Sequence, residues 1–263
     1  MTGSVPARIA LALFAALVFA VLYVPILLPI ASSFFEVKYG VVDWSAPSVE
    51  SYGLLLANES VLDALLNTFV VGASAVCLSV AIGVGLALYS ESEQAIGRTL
   101  LSFLVFLPFL MPPIITGLSL LVFFREVDVD RSLLTVVIGH TVFVLALVYR
   151  TVAVRLAVLG PSLVEASLDL GASRWQTFWH VLRPNLMGAV IGGGVLAFVL
   201  SFDETMITLL VTGTESTLPV RLWAMMRLGF TPDINALVAV ILLITTVLCL
   251  VAARHLDPRQ LVR

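Results

Sequence analysis

The amino-acid sequence predicts an all-α membrane protein with six spanning helices. Hydrophobic residues make up 60% of the 263 and charged residues only 12%, about half the charged share of an ordinary soluble domain. Mean hydropathy is +1.10, a value that would leave the chain insoluble in water. Six apolar stretches, at about 9–34, 64–89, 100–124, 133–157, 186–211 and 234–253, are long enough to cross a bilayer, which takes roughly 20 helical residues. No stretch has the composition of a separate soluble domain, so residues 1–263 read as a single transmembrane domain.

The first stretch begins just after Arg8 and is longer than the core of a signal peptide. Its end, Ser33-Phe34-Phe35-Glu36, offers no small-residue cleavage site, so it is expected to be retained. Pro25 and Pro29 are expected to kink it or end its regular part. The second stretch carries Gly72, Ala73, Ala75, Ala81, Gly83, Gly85 and Ala87, small residues that let helices approach closely. The third contains Pro108, Pro112 and Pro113, with Gly117 a turn later. Proline frees backbone carbonyls, which a membrane tolerates only against protein or a watery cavity. Pro112 is therefore a candidate for the lining of a path, with simple bending as the alternative.

In the fourth stretch His140 stands alone before Thr141, and a buried, hydrogen-bonded histidine is favoured over a proton relay. In the fifth, Gly188 and Gly192 have small-xxx-small spacing. The glycines that follow, Gly193 and Gly194, lead to no Gly-Lys-Ser/Thr, and the chain carries no Walker A motif with which to bind ATP itself. Cys77 and Cys249 both fall in apolar runs and read as packing residues. Net charge is -3 and no basic patch appears, which argues against a nucleic-acid partner.

Two sequence features carry more specific chemistry. The run Ser201-Phe202-Asp203-Glu204 lies beyond the middle of the fifth stretch. A carboxylate at that depth costs about 2.5–3.5 kcal/mol, so two in a row point to a watery or interior face. Adjacent helical positions point about 100° apart, so one of the two could face a path and the other a partner. The alternative is that they cap backbone or pair with a partner's arginine.

The other feature is the polar stretch Gly160–Pro184. Ser162 with Glu165, and Ser173 with Gln176, have capping-box spacing, and Gly171 between them suits a left-handed helix end. Two short helices, about 163–170 and 174–182, are expected, the second stopped by Pro184. The alternative is an amphipathic hairpin resting on lipid through Trp175, Phe178 and Trp179.

Glu165-Ala166-Ser167, Gly171 six residues after Glu165, then Leu182 and Pro184 resemble the cytoplasmic loop of ATP-binding-cassette (ABC) importer permeases. Ser167 stands where the family has alanine, and Val181 and Arg183 stand in its Ile-x-Leu. Leu200-Ser201-Phe202-Asp203-Glu204, Leu218-Pro219-Val220-Arg221 and Thr231-Pro232-Asp233-Ile234-Asn235-Ala236 resemble the second permease of polyamine (spermidine/putrescine) importers, as do Val42-Asp43-Trp44-Ser45 and Ser51-Tyr52.

The resemblance implies a type I importer architecture and a transport subunit without chemistry of its own. Glu165, Ala166, Ser167, Gly171, Trp175 and Pro184 would couple to an ATP-binding subunit present in two copies, which holds ATP and Mg. Ser201, Asp203, Glu204 and Pro112 would belong to the solute path. A second permease, identical or different, and an extracytoplasmic substrate-binding protein would complete the assembly, with the 36–62 stretch either receiving that protein or capping the bundle. Ferric iron, thiamine, molybdate or sulfate are alternative solutes, and a secondary transporter or channel is the alternative class.

With the N-terminus inside, nine basic residues lie in the cytoplasm and five outside, so both termini are expected to be cytoplasmic in a cell-membrane protein. On intact cells, an impermeant thiol reagent should label a cysteine at Ser45 and spare one at Ser162. The opposite pattern would invert the topology.

Overall fold

A computed structural model describes residues 5–38, 41–92, 95–228 and 232–255. Its elements fall into two units, Met1–Leu62 with Leu222–Arg263, and Asp63–Arg221.

The first unit holds α1 (Val5–Ser32), a hairpin of β1 (Phe35–Lys38) and β2 (Val41–Pro47), α2 (Glu50–Ala57) and α12 (Pro232–His255). Helix α1 runs unbroken past Pro25 and Pro29, and its side chains from Ile9 to Leu28 are exposed except for the half-buried Ala15. The expected shortening at its prolines does not occur. Its end is tied down instead: the Ser33 hydroxyl lies 2.8 Å from the Tyr52 hydroxyl on α2. The antiparallel hairpin pairs Val37 with Val42, and Phe35 packs on Trp44 at 5.2 Å. The Ser45 hydroxyl and N–H both donate to Asp43 Oδ1, and these bonds hold that carboxyl below its ordinary range. Asn58 donates to the buried Asp233 carboxylate at 2.8 Å, tying α2 to the start of α12.

The second unit is built around α6 (Leu133–Leu159). Val136, Val144, Ala146, Val148 and Val152 are fully buried there, so α6 is covered on several faces at once. Around it stand α3 (Glu59–Ser90), α4 (Arg98–Leu110), α5 (Pro113–Glu126), α9 (Arg183–Phe202) and the short α10 (Met206–Val211). Between α6 and α9 lie α7 (Ser162–Asp169) and α8 (Arg174–Thr177). Helix α11 (Leu218–Leu228) follows α10.

Among the described residues, four helices are long and apolar enough to cross a membrane: Ile9–Ser32, Glu59–Ser90, Leu133–Leu159 and Arg174–Phe202. The third expected span is broken. Helices α4 and α5 meet at 105°, because Met111 and Pro112 adopt extended conformations and Pro113 opens the new helix. The fifth ends at Phe202 rather than 211, with α10 after a break. The sixth is the 24-residue α12.

Small residues do pack, though not all of those expected. A Cβ on Gly83 would lie 3.2 Å from the Tyr149 backbone, and one on Gly72 would lie 2.9 Å from the Phe198 ring. Ala75 and Ala87 are fully buried, whereas Ala73, Ala81 and Gly85 face outward. On α9 the tight positions are Gly193 against Thr151 and Gly194 against Val76, while Gly188 and Gly192 are open. Cys77, expected in packing, is exposed; the side chain of Cys249 lies outside the described residues.

Glycines also make the seat of α10 close-packed. A Cβ on Gly139 would lie 2.7 Å from Ile207 Cγ2, and one on Gly117 would lie 3.0 Å from Ile207 Cα. Gly139→Ala should therefore destabilise the purified protein by about 1–3 kcal/mol. Gly85→Ala, which meets nothing within 4 Å, should stay within about 0.5 kcal/mol. Thermal unfolding in detergent checks both.

Candidate functional site: a capped bend and a broken helix

The polar stretch after α6 folds as two linked turns. Gly160 ends α6 at φ +71°, and Pro161 opens α7. Ser162 was expected to cap this helix but lies within it, and no side chain caps the start. The Gly160-Pro161 pair displaces it, since proline's fixed φ suits the entry to a helix. Glu165 is exposed in the first turn, where its charge favours the helix dipole.

The end of α7 closes as expected. Gly171 adopts φ +84°, a left-handed conformation costly to any side chain. Its N–H bonds to the Leu168 carbonyl at 2.9 Å, and the Ala172 N–H bonds to the Ser167 carbonyl at 3.1 Å. This is the paired Schellman closure of a helix end. Two residues on, Ser173 starts α8 with a full capping box: Ser173 N–H to Gln176 Oε1 at 2.8 Å, and Gln176 N–H to Ser173 Oγ at 3.3 Å.

Ser167 and Thr177 lock the two helices together. The Thr177 hydroxyl donates to the Ser173 carbonyl at 3.1 Å. It therefore accepts from the Ser167 hydroxyl, 3.0 Å away. The residue that departs from the family's alanine thus supplies a hydrogen bond across the bend. A shallow cavity of about 360 Å³ lies over this corner, lined by Ser167, Leu170, Gly171, Ala172, Gln176, His180 and Val181. Leu170 is 90% exposed and Trp175 69%, so the bend presents apolar surface outward. Ala166 is exposed beside them.

Pro184 does not stop the second helix. Residues Phe178–Leu182 form a π-helical turn, and the helix continues as α9 with Pro184 in its first turn. Proline has no N–H to give and its ring crowds the preceding turn. The wider turn absorbs this, with Arg183 N–H reaching back to the Phe178 carbonyl. Arg183 also lies over the Trp179 ring at 4.9 Å, a cation–π contact.

The second cluster is the break between α9 and α10. Asp203 and Glu204, expected inside one helix, occupy the break itself. Their environments differ. Asp203 is exposed, whereas Glu204 is only 8% exposed. Glu204 Oε1 accepts from the Ile207 N–H at 2.9 Å, so it caps the start of α10. This capping reading was the alternative for the pair, and it holds for Glu204. Ser201 is buried, and Pro112 belongs to the other break, just before α5.

His140 is buried and hydrogen-bonded as expected. Its Nδ1 lies 2.7 Å from Ser201 Oγ and its Nε2 2.8 Å from Thr208 Oγ1. The involvement of Thr208, and of Thr135, which donates to the Val211 carbonyl at 2.7 Å, was not foreseen. Only the tertiary fold brings these residues together. Among the described residues no group of three or more His, Cys, Asp or Glu is placed to hold a metal ion.

A family model described as "Binding-protein-dependent transport system inner membrane component" matches residues 79–261. The spermidine/putrescine transport system permease protein PotC of Escherichia coli (strain K12) is 30% identical over 234 residues, 88% of this chain and 88% of that protein. The putrescine transport system permease protein PotI of the same organism is 33% identical over 232 residues, 85% of this chain and 82% of that protein. Among solved structures, a chain of a bacterial ABC transporter involved in the import of the acidic polysaccharide alginate has the same fold. The TM-score is 0.75 at 15% identity, covering 98% of this chain and 100% of that one. A chain of the MetNI methionine ABC transporter matches with TM-score 0.60 at 22% identity, covering 78% and 96%. The family match takes in both the capped bend and the broken helix. The chain belongs to the inner membrane components of binding-protein-dependent transport systems.

Proposed function

We propose that this chain is the permease subunit of an ATP-driven importer of polyamines, forming half of the translocation path. The observation that carries the solute assignment is Asp203, a carboxylate left exposed at a helix break in a chain whose relatives are named for spermidine and putrescine. A polyamine carries several positive charges along a flexible chain. Its passage calls for negative charge at a stop, attractive enough to admit it and sparse enough to release it. One free carboxylate fits that need.

The other half of the path comes from a second permease, and a substrate-binding protein delivers the solute from outside. Two ATP-binding subunits dock on the capped bends at the cytoplasmic face. They bind ATP and Mg, and the permease needs no cofactor of its own. Both termini are cytoplasmic. Support for the docking role is the rigidity of the bend. Schellman closure, capping box and the Ser167–Thr177 bond fix its two helices, and exposed Leu170 and Trp175 give a partner something to grip. Closure of the ATP-binding subunits would then move the bends as rigid handles, and α9, continuous with α8, would carry the motion toward Asp203.

Gly171→Val would force a branched side chain into the left-handed region, at a cost of about 1–2 kcal/mol. It should lower both recovery of the ATP-binding subunit with the permease and uptake, whereas Gly171→Asn should retain both. Wild-type recovery and uptake in the valine variant would refute the docking role. Asp203→Asn should cut radiolabelled spermidine uptake with the complex intact and its ATPase running. Glu204→Gln keeps an acceptor for the Ile207 N–H and should affect uptake less. Full uptake by Asp203→Asn would sink the electrostatic role, and uptake of molybdate by the intact complex would overturn the solute.

A further inference from the structure

The break between α9 and α10 is held by one residue of a third helix. His140 on α6 reaches both sides of it, Ser201 on α9 and Thr208 on α10. The Thr208 hydroxyl donates to the Glu204 carbonyl at 3.2 Å. It therefore accepts from His140 Nε2–H, which leaves Nδ1 to accept the Ser201 hydroxyl proton. The result is a directed chain of hydrogen bonds, from Ser201 through the imidazole and Thr208 to the backbone of Glu204. Its Ser201–His140–Thr208 part spans the break without passing through the polypeptide between those two residues.

Helix α6 holds α10 in two further ways. Gly139 admits the fully buried Ile207, and Thr135 donates to the Val211 carbonyl at the end of α10. A six-residue helix has little stability of its own. Its position is set by α6, and with it the three-residue turn that carries Asp203.

We propose that His140 is a positioning residue for the solute-binding carboxylate: it clamps Ser201 to Thr208 across the break and so fixes where Asp203 stands. This rests on the reading of Asp203 as a solute contact. The clamp makes its own demand on the side chain, since an imidazole is the group whose two nitrogens can reach two hydroxyls on opposite sides.

The test uses the whole importer in membranes. His140→Leu should raise the KM for spermidine about tenfold while the complex assembles and its maximal ATPase rate holds. His140→Asn, which can keep the Ser201 bond, and His140→Gln, which can keep the Thr208 bond, should fall between. In the Asp203→Asn background, His140→Leu should raise KM little further, because it acts through that carboxylate. A separate arm reads the clamp directly. With Cys77 and Cys249 replaced by alanine, a cysteine at the buried Val211 should react with N-ethylmaleimide several-fold faster when His140 is leucine.

Unchanged KM in His140→Leu, or effects of His140→Leu and Asp203→Asn that simply add, would overturn the proposal. Loss of the assembled complex in all three His140 variants would overturn it too, by making His140 a folding residue. Normal uptake by Asp203→Asn would instead overturn the solute-contact reading, and the Val211 labelling would then still decide whether His140 holds the break.

Discussion

The structure depends on one constraint: every backbone N–H and C=O inside a membrane must find a partner without water. A continuous helix meets it automatically. Among the described residues, two of the apolar stretches are interrupted, between α4 and α5 and between α9 and α10. Each interruption frees backbone groups that something else must satisfy. At the second, Glu204 takes the Ile207 N–H, Thr208 takes the Glu204 carbonyl, and His140 holds Thr208 and Ser201. At the first, the Thr116 hydroxyl reaches the Pro108 carbonyl at 3.3 Å.

The same constraint accounts for the glycines. Side-chain partners can reach a freed backbone only if the helices lie close together. Gly139 and Gly117 let α10 sink against α6 and α5 until the Ile207 backbone and side chain touch both positions. At that separation Thr135 and His140 span the gap with bonds of 2.7–2.8 Å. Close packing and polar satisfaction are thus one feature. A methyl group added at Gly139 would push α10 outward and lengthen the bonds on either side of it.

Much of the fold was legible in the sequence where one segment decides its own structure. Apolar length marked the spans, Gly171 marked a left-handed turn, and Ser173 with Gln176 marked a helix start, because each depends on residues within a few positions. Local reasoning failed where a neighbour in space or an adjacent pair intervened. Ser162 has the spacing of a cap, but Gly160-Pro161 sets the helix start a residue earlier. Pro184 looks like a stop, but a π turn lets the helix pass. Asp203 and Glu204 sit in an apolar run that predicts one helix, yet a carboxylate competing for an N–H ends it. His140 was recognisable as a buried, bonded residue, while its partners Ser201 and Thr208, more than 60 positions away, were not.

The two clusters also differ in how they are held, and the difference suits the roles proposed for them. The capped bend is closed almost entirely by bonds between residues fewer than about a dozen positions apart. It can therefore move as a body without being rebuilt. The broken helix is held by long-range bonds from α6, so its geometry depends on how α6, α9 and α10 lie against one another. Helices α8 and α9 form one run from Arg174 to Phe202, so the bend lies at one end of it and the break at the other. A displacement of the rigid end that shifted α9 against α6 would be felt by the Arg155 bond to the Asn185 carbonyl near the bend and by the His140 bond to Ser201 at the break. A site made of local bonds would be insensitive to such a shift. Placing the exposed carboxylate on a turn held from another helix makes its position depend on the arrangement of the bundle, which is what a transport path must do if its affinity is to change during the cycle.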